Sequence, residues 1–286
     1  MKRRRNILIM LGPSVFILAL ISLYPFFFSI YLSTTNASLS NIKGFIGFSN
    51  YIELFKDPRF YNSLKLCLIF IIGATIIQLF IGFLLALLLN RDSLISKLSR
   101  LLLVIPMMVT PIVVGITWRF LYDADYGLIN YILGLIGIHN VPWLINPNIA
   151  LLTLILIDSW QWTPFMMLTI LAGLRSLPIE PYEAASIDGA SKFQGFRYIT
   201  LPLLIPVVLV ALLIRTIDAF KAFDIFFATT LGGPGTATEI LSLFIYKTGF
   251  RYSHMGSAAA LSIIMLIIII IICNFYIRVM KRTGNY

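Results

Sequence analysis

Long apolar runs separated by short polar clusters make up most of the chain. Six of these runs are long enough to cross a bilayer core of about 30 Å, which needs roughly 20 apolar residues in a helix. The runs cover residues 7–31, 65–89, 101–121, 149–173, 203–224 and 257–277. The pattern therefore predicts an all-α polytopic membrane protein with six transmembrane helices.

Small or polar residues and prolines interrupt two of the runs. They are Gly73, Thr75, Gln78 and Gly82 in the second run, and Pro106 and Pro111 in the third. In membrane helices, small and polar residues let neighbouring helices approach closely or line a cavity. The interruptions therefore indicate tightly packed spans or a polar path between them.

Composition agrees with a membrane protein and excludes other classes. Of the 286 residues, 59% are hydrophobic and only 12% are charged, which is too apolar for an ordinary soluble domain. The net charge of +10 could indicate nucleic-acid binding, but the chain has no basic stripe with interleaved aromatic residues. We therefore expect membrane lipid around the chain and no nucleic-acid partner.

The distribution of lysine and arginine predicts how the spans are oriented. If the N-terminus is inside, thirteen basic residues lie in cytoplasmic segments and seven lie on the opposite side. Because an excess of basic residues marks the cytoplasmic face, both termini are predicted to be cytoplasmic. The first run is expected to remain as a helix, since residues 7–30 are long for a signal peptide and no small-residue cleavage site follows.

Few residues outside the apolar pattern could carry chemistry. Cys67 and Cys273 both fall in predicted spans, where they are most simply packing residues. His139 and His254 are isolated, so neither is predicted to be a metal ligand or a base. The dipeptide Gly-Lys does not occur, so the usual phosphate-binding loop is absent. The sequence therefore predicts no catalytic residue and no metal site.

The segment between the fourth and fifth runs has the most specific pattern. Pro181 and Glu183 suit the first turn of a helix. Gly189 can adopt the left-handed conformation that ends a helix, here after about two turns. A second short helix is predicted at about residues 191–199, before Pro202 opens the fifth run. The expected result is a helix–turn–helix under the membrane.

This segment resembles the EAA signature of the permease subunits of ABC importers. The signature is Glu-Ala-Ala, three residues, Gly, nine residues, Ile, one residue and Leu-Pro. All seven fixed positions match, at Glu183, Ala184, Ala185, Gly189, Ile199, Leu201 and Pro202. Further along, Gly232-Gly233-Pro234 and the threonines that follow resemble the carbohydrate-uptake branch, the maltose-permease-like subunits. The resemblance covers roughly residues 60–280.

The resemblance implies the type I ABC-importer permease architecture with a cytoplasmic coupling helix. Residues 1–62 would form an N-terminal tail, the first helix and the first outer loop, and residues 63–280 the permease core of five helices. Residues 175–202, called the EAA segment below, would belong to that core. The segment would dock on an ATPase through Glu183, Ala184, Ala185, Asp188 and Gly189. Its balanced acidic and basic residues count against a lipid-surface role.

The same resemblance implies a set of partners in the plasma membrane of a prokaryote. A second permease subunit would complete the pathway as a heterodimer. Two ATPase subunits would bind ATP and Mg and hydrolyse the ATP. An extracytoplasmic solute-binding protein would deliver the solute, and the chain itself would bind no cofactor.

Two ionisable residues lie deep within predicted spans. Asp158 is nine residues into the fourth run from the outer side, and Arg215 is twelve residues into the fifth from the cytoplasmic side. At about 1.5 Å per residue, both lie near the middle of the membrane. Charged groups there cost a few kcal/mol or more unless they are paired or hydrated. We predict that the two residues meet as an ion pair that faces a cavity.

Neighbours of this pair form two candidate faces of a substrate pathway. Each set follows the spacing of one helical face. The sets are Arg215, Asp218, Ala219 and Ala222 on the fifth run, and Asp158, Trp162 and Phe165 on the fourth. Aromatic rings beside hydrogen-bonding groups suit sugars, and the resemblance places the substrate cavity of maltose-permease-like subunits at these faces. An aromatic belt with structural ion pairs is the alternative interpretation.

These observations predict a permease subunit that forms half of the translocation pathway of an ATP-driven importer. The expected solute is a sugar or oligosaccharide, carried by alternating access. A permease for an amino acid or for a phosphorylated or anionic compound would keep the EAA segment, and Arg215 suits an anion. A secondary transporter would need no ATPase, but the EAA signature and the lack of an evident internal repeat disfavour it. A membrane enzyme would need more than Asp158 at mid-membrane.

Overall fold

Helices account for nearly all the regular structure of the chain. The computed structural model describes residues 2–283. Its helices are α1 Lys2–Ser33, α2 Ser49–Lys56, α3 Pro58–Leu89, α4 Leu94–Met108, α5 Pro111–Leu121, α6 Leu128–Gly134, α7 Ala150–Arg175, α8 Glu180–Ile187, α9 Lys192–Gly195, α10 Leu201–Phe220, α11 Asp224–Thr229, α12 Leu241–Tyr246 and α13 Met255–Thr283. Two short strands, β1 Thr35–Ala37 and β2 Ile42–Phe45, pair antiparallel. The all-α prediction is confirmed.

Five helices are long and apolar enough to cross a membrane, and a bent pair supplies a sixth candidate span. The five are α1, α3, α7, α10 and α13, and their positions agree with five of the predicted apolar runs. The bent pair is α4 with α5. The prediction of a helical protein with several spans is therefore confirmed.

The third predicted span, residues 101–121, is not one helix. Its two halves, α4 and α5, are bent by 96° at a break formed by Val109 and Thr110. Pro111 has no N–H group to continue the helix, and its ring favours an extended conformation for the residue before it. Thr110 has that conformation, with ψ of 138°. The third predicted span is therefore a bent pair of helices, broken beside Pro111, one of the two prolines that interrupt the run.

The fifth predicted span, residues 203–224, ends earlier than expected. The helix α10 ends at Phe220, and the chain turns before α11 begins at Asp224. Within this turn, the carbonyl of Ala222 accepts a hydrogen bond from the hydroxyl of Ser242. Ala222 therefore lies beyond the end of α10, and the prediction that it shares one helical face with Arg215 is wrong.

Contacts within the chain divide it into two compact units. The first contains the chain up to Tyr61 together with Phe244–Ile268, and the second contains Asn62–Leu243 and the chain from Ile269 onward. In the first unit, the buried Asn50 side chain donates hydrogen bonds to two main-chain carbonyls, one at the end of α1 and one at the start of β1. The first unit also takes in Phe244–Ile268, which the resemblance assigned to the permease core, and the division of the chain at residue 62 stays a prediction.

Two glycines of α3 allow close packing in the second unit. A Cβ atom on Gly73 would lie 2.9 Å from the Cδ1 atom of Ile155, and one on Gly82 would lie 2.7 Å from the Cβ atom of Met166. Both neighbours belong to α7. A larger residue at Gly82 would also meet the main-chain N of Met167 at 2.9 Å and would push the two helices apart, whereas one at Gly73 would require the Ile155 side chain to move. The prediction that small residues in the second run permit close helix packing is confirmed.

Candidate functional site

The first helix of the EAA segment, α8, has the predicted start and stop. Pro181 lies in its first turn, and the acidic side chains of Glu180 and Glu183 lie there too, where they stabilise the positive end of the helix. Gly189 adopts a φ of +74°, and its N–H and that of Ala190 return to carbonyls of the last turn. These two bonds form a Schellman motif, which confirms the predicted stop at Gly189.

The second helix of the segment is shorter than predicted. Ser191 caps α9 in a capping box, since its hydroxyl accepts the N–H of Gln194 and the Gln194 side chain accepts the N–H of Ser191. The chain then continues through a π-helical turn, Phe196–Thr200, directly into α10. A hydrogen bond of 2.9 Å between the Tyr182 and Thr200 hydroxyls links α8 to this turn. The prediction of one separate helix over residues 191–199 is therefore wrong.

The predicted ATPase-coupling residues lie on an accessible part of this segment. Four are exposed and one, Ala185, is half-buried; the exposed ones are Glu183, Ala184, Asp188 and Gly189. Next to them, the large apolar side chains of Ile187 and Phe193 are 87% and 70% exposed. Apolar groups exposed beside small residues are typical of a surface that another protein covers. The coupling role of the five residues stays a prediction.

Asp158 and Arg215 meet inside the second unit, in a cluster that includes a third residue. The Arg215 guanidinium forms an ion pair with the Asp158 carboxylate. Its Nε atom also donates to the Gln78 side-chain oxygen at 2.8 Å, and the Gln78 amide donates to Asp158 Oδ2 at 2.8 Å. The three residues belong to α10, α7 and α3. We call them the buried triad.

The buried triad is enclosed by its own chain. Asp158 and Arg215 are each only 2% exposed and Gln78 is fully buried. The ring of Trp162 lies over the Arg215 guanidinium, with 5.2 Å between the guanidinium carbon and the ring centroid. The structure thus brings the predicted pair together, but its polar groups bind one another and are not open to a cavity in this conformation.

The remaining predicted pathway residues differ in accessibility. Ala219 is fully buried, whereas four others are partly exposed: Trp162, Phe165, Asp218 and Ala222. Asp218 pairs with Lys221 one turn later at 2.9 Å. The structure therefore places these four residues where another molecule could reach them, and their role in the pathway stays a prediction.

Sequence analysis missed two polar side chains that hold spans together. Gln78 interrupts the second run, and only the structure shows that it bridges the ion pair. Gln161 is fully buried in α7 and donates its amide to the carbonyl of Val109 at 2.8 Å, at the break in the third span. Its own side-chain oxygen has no hydrogen-bond partner among the described residues. The sequence signal that could have revealed both residues is an amide side chain within an otherwise apolar run.

These features define a class of protein. Apolar helices supply the spans, a closed polar triad lies within them, and an exposed pair of short helices projects between two spans. This arrangement is that of a multi-pass membrane protein with an accessible pair of short helices outside its spans.

Comparison with known proteins gives the family. Residues 78–283 match the family of the binding-protein-dependent transport system inner membrane component. A trehalose/maltose transport system permease of Thermococcus litoralis is 38% identical over 239 residues, which cover 84% of this chain and 80% of the relative. A sulfoquinovosyl glycerol transport system permease of Agrobacterium fabrum is 36% identical over 279 residues, or 96% of this chain and 89% of the relative.

A solved structure shows the same fold. A chain of the bacterial alginate ABC transporter, in complex with an alginate pentasaccharide-bound periplasmic protein, superimposes with a TM-score of 0.85 at 24% identity, covering 98% of this chain and 96% of that one. The chain therefore belongs to the family of ABC-importer permeases. It is a multi-pass membrane subunit and not an enzyme, because ATP hydrolysis belongs to the partner subunits in this family.

Proposed function

We propose that this permease forms half of the translocation pathway for a sugar or oligosaccharide. The observation that supports this solute class is the pair of relatives at 36% and 38% identity, both named for transport of sugar compounds. The partly exposed aromatic rings of Trp162 and Phe165 agree with it, because aromatic faces can stack on the apolar faces of sugar rings.

The proposed mechanism is alternating access driven by partners. A second, different permease subunit completes the pathway, and a solute-binding protein delivers the solute on the outer side. Two ATPase subunits bind ATP with Mg and grip the EAA segments of both permeases, while this chain binds no cofactor. The closed ATPase pair binds one conformation of the permease pair more tightly than the other. Closure of the ATPase pair therefore shifts the permease pair between its inward and outward conformations.

Within this mechanism we assign different tasks to the predicted pathway residues. Asp158 and Arg215, with Gln78, position α7, α10 and α3 so that the three helices move as one body. Ala219 is buried beside them and acts through packing. The partly exposed residues remain the candidates for contact with solute: Trp162, Phe165, Asp218 and Ala222.

The burial of Arg215 disfavours an anionic solute. Its charge is neutralised by Asp158, and its Nε hydrogen bond goes to Gln78. A guanidinium that is 2% exposed and already paired has little attraction left for a passing phosphate or carboxylate. Arg215 was the residue that made an anion importer an alternative in the sequence analysis, and its burial and pairing in the structure remove that support.

The solute class is tested on the solute-binding protein that serves this permease. The purified protein is titrated calorimetrically with neutral mono- and oligosaccharides, amino acids and inorganic phosphate. We expect binding of a saccharide only, and loss of uptake of that saccharide when the permease gene is deleted. Binding of an amino acid or of phosphate, with no saccharide bound, would show that the sugar assignment is wrong.

We also propose that both termini and the EAA segment lie in the cytoplasm. In a chain with Cys67 and Cys273 replaced by serine, we expect Tyr126→Cys to react with a membrane-impermeant maleimide in intact cells. Ala190→Cys should react only after the membrane is opened, because residue 190 lies in the EAA segment. Both positions are exposed in the structure, so accessibility of the thiol does not limit the reaction. The reverse pattern would place the EAA segment outside and contradict the docking assignment.

A further inference from the structure

A second polar site lies at the end of α7 opposite to the EAA segment. Here the end of α5, the chain leading to α7 and the residues after α11 enclose a pocket of about 330 Å³. That volume is at the lower end of the range for small-molecule sites, roughly 300–1,000 Å³. The residues that matter for its chemistry are Arg119, Tyr122, Asp123, Trp143 and Thr230.

The wall of the pocket is held in place before any ligand arrives. Asn130 is 7% exposed, and its amide donates hydrogen bonds to the carbonyls of Asp123, Ala124 and Val141 at 2.9–3.3 Å. The indole N–H of Trp143 donates to the Asn130 side-chain oxygen at 2.9 Å. One buried side chain therefore fixes the loop that carries Asp123 and the loop that carries Trp143.

Two opposite charges line the pocket without pairing with each other. Among residues 2–283, Arg119 has no ion pair and no hydrogen bond through its side chain, and it is an exposed residue in the last turn of α5. The Asp123 carboxylate uses Oδ1 to accept the N–H groups of Asp125 and Tyr126, which leaves Oδ2 available. The lining of the pocket thus includes a planar set of donors and a carboxylate acceptor.

Aromatic rings form the apolar part of the same pocket. The centroids of Tyr122 and Trp143 are 5.4 Å apart with their planes tilted by 53°, and Trp118 stacks against Tyr122 at 5.2 Å. Burial raises the pKa of the Tyr122 phenol above its ordinary value, so this ring remains neutral. The hydroxyl of Thr230, which is hydrogen-bonded to that of Thr238 at 2.7 Å, adds a further polar group at the rim.

This combination matches the chemistry of a neutral sugar ring. Hydroxyl groups of a sugar both donate and accept, so they can use a guanidinium and a carboxylate together, whereas an anion would be repelled by Asp123 and a cation by Arg119. The apolar face of the ring can pack on Trp143, which is partly exposed, while Tyr122 is buried and supports Trp143 from behind. A pocket lined by a guanidinium, a carboxylate and aromatic rings therefore favours a polar ligand that carries no net charge.

We propose that Arg119, Tyr122, Asp123 and Trp143 form a carbohydrate-binding subsite at the mouth of the translocation pathway. It receives one ring of the solute as the solute leaves the binding protein. The proposal rests on the proposed function as a sugar permease. It is independent of the buried triad, which lies deeper in the spans.

The test uses the complete importer reconstituted in liposomes, with the binding protein loaded with the saccharide identified by calorimetry. For Arg119→Gln and for Asp123→Asn we expect initial uptake at subsaturating loaded binding protein to fall about tenfold. Arg119→Lys, which keeps the charge but not the planar fork, should be intermediate. The matched control is Asp125→Asn, an exposed residue of the same loop that does not line the pocket, and its uptake should equal that of the wild type.

A second measurement separates this subsite from a docking surface for the binding protein. The affinity of the liposomes for sugar-free binding protein is measured by surface plasmon resonance, and Arg119→Gln should leave it at the wild-type value. Unchanged uptake in both charge variants would overturn the proposal, and so would a parallel tenfold loss of binding-protein affinity. Failure of the sugar assignment itself is recognised earlier, since calorimetry on the binding protein does not involve the permease.

Discussion

Arg215→Gln alone should destabilise the subunit severely, by about 3–5 kcal/mol. The change leaves the Asp158 carboxylate buried without its counter-charge. Among residues 2–283 its remaining side-chain partner is Gln78, which offers a single amide hydrogen bond. A buried charge without a partner costs far more than the pair contributes, because desolvation is no longer offset. The free energy of unfolding in detergent micelles, measured by denaturant titration, gives the size of the loss.

The double variant Asp158→Asn with Arg215→Gln should recover much of that loss, because two neutral amides can bond to each other and to Gln78. A double-mutant cycle on the unfolding free energy should therefore give a large coupling. Lys221→Gln is the matched control, since Lys221 pairs with Asp218 at the surface, where such pairs contribute only about 0–1 kcal/mol. Additive single effects would contradict the triad as a structural brace.

Gly189→Val should abolish uptake and the ATP hydrolysis that loaded binding protein stimulates. The φ of +74° at this position strains any residue with a Cβ atom, and a β-branched one most. The Schellman bonds would then break, and α8 would change direction at the proposed docking surface for the ATPase. We expect uptake of radiolabelled saccharide to fall more than tenfold, with the amount of permease in the membrane unchanged.

Two variants separate the backbone requirement at Gly189 from a general effect of substitution. Gly189→Asn should retain most of the uptake, because asparagine tolerates the left-handed conformation better than other residues. Gly195→Ala should be close to wild type, since Gly195 belongs to the same segment, has a helical φ of −56° and has open space around its Cα. Normal transport by Gly189→Val would remove α8 from the coupling mechanism.

Most of the spans and the EAA segment could be predicted because their signals are local. A run of about 20 apolar residues specifies a span by its length alone. The start and stop of α8 depend on Pro181 and Gly189, each of which acts on its own stretch of backbone. The meeting of Asp158 and Arg215 was also predictable, because the cost of an isolated charge in a membrane demands a partner at equal depth.

The remaining features depend on contacts between distant parts of the chain. Gln78 reads as an interruption of its run, and its role appears only where α3 packs between α7 and α10. The turn that excludes Ala222 from α10 is stabilised by Ser242, twenty residues later. The pocket around Arg119 and Trp143 joins segments that no local pattern connects. The exposure of the predicted pathway residues could not be predicted either. Helical spacing assigns Asp158 to one face of its helix, but it does not show which other helices cover that face.

The broken third span constrains the order in which the chain enters the membrane. The helices α4 and α5 have 15 and 11 residues, so at about 1.5 Å per residue neither crosses a core of about 30 Å by itself. At the break, the Val109 carbonyl receives its hydrogen bond from Gln161, which the ribosome adds 52 residues later. Because an unsatisfied backbone group costs several kcal/mol in lipid, we expect the third span to gain stability once the fourth has been synthesised. We therefore expect these two spans to leave the translocon together.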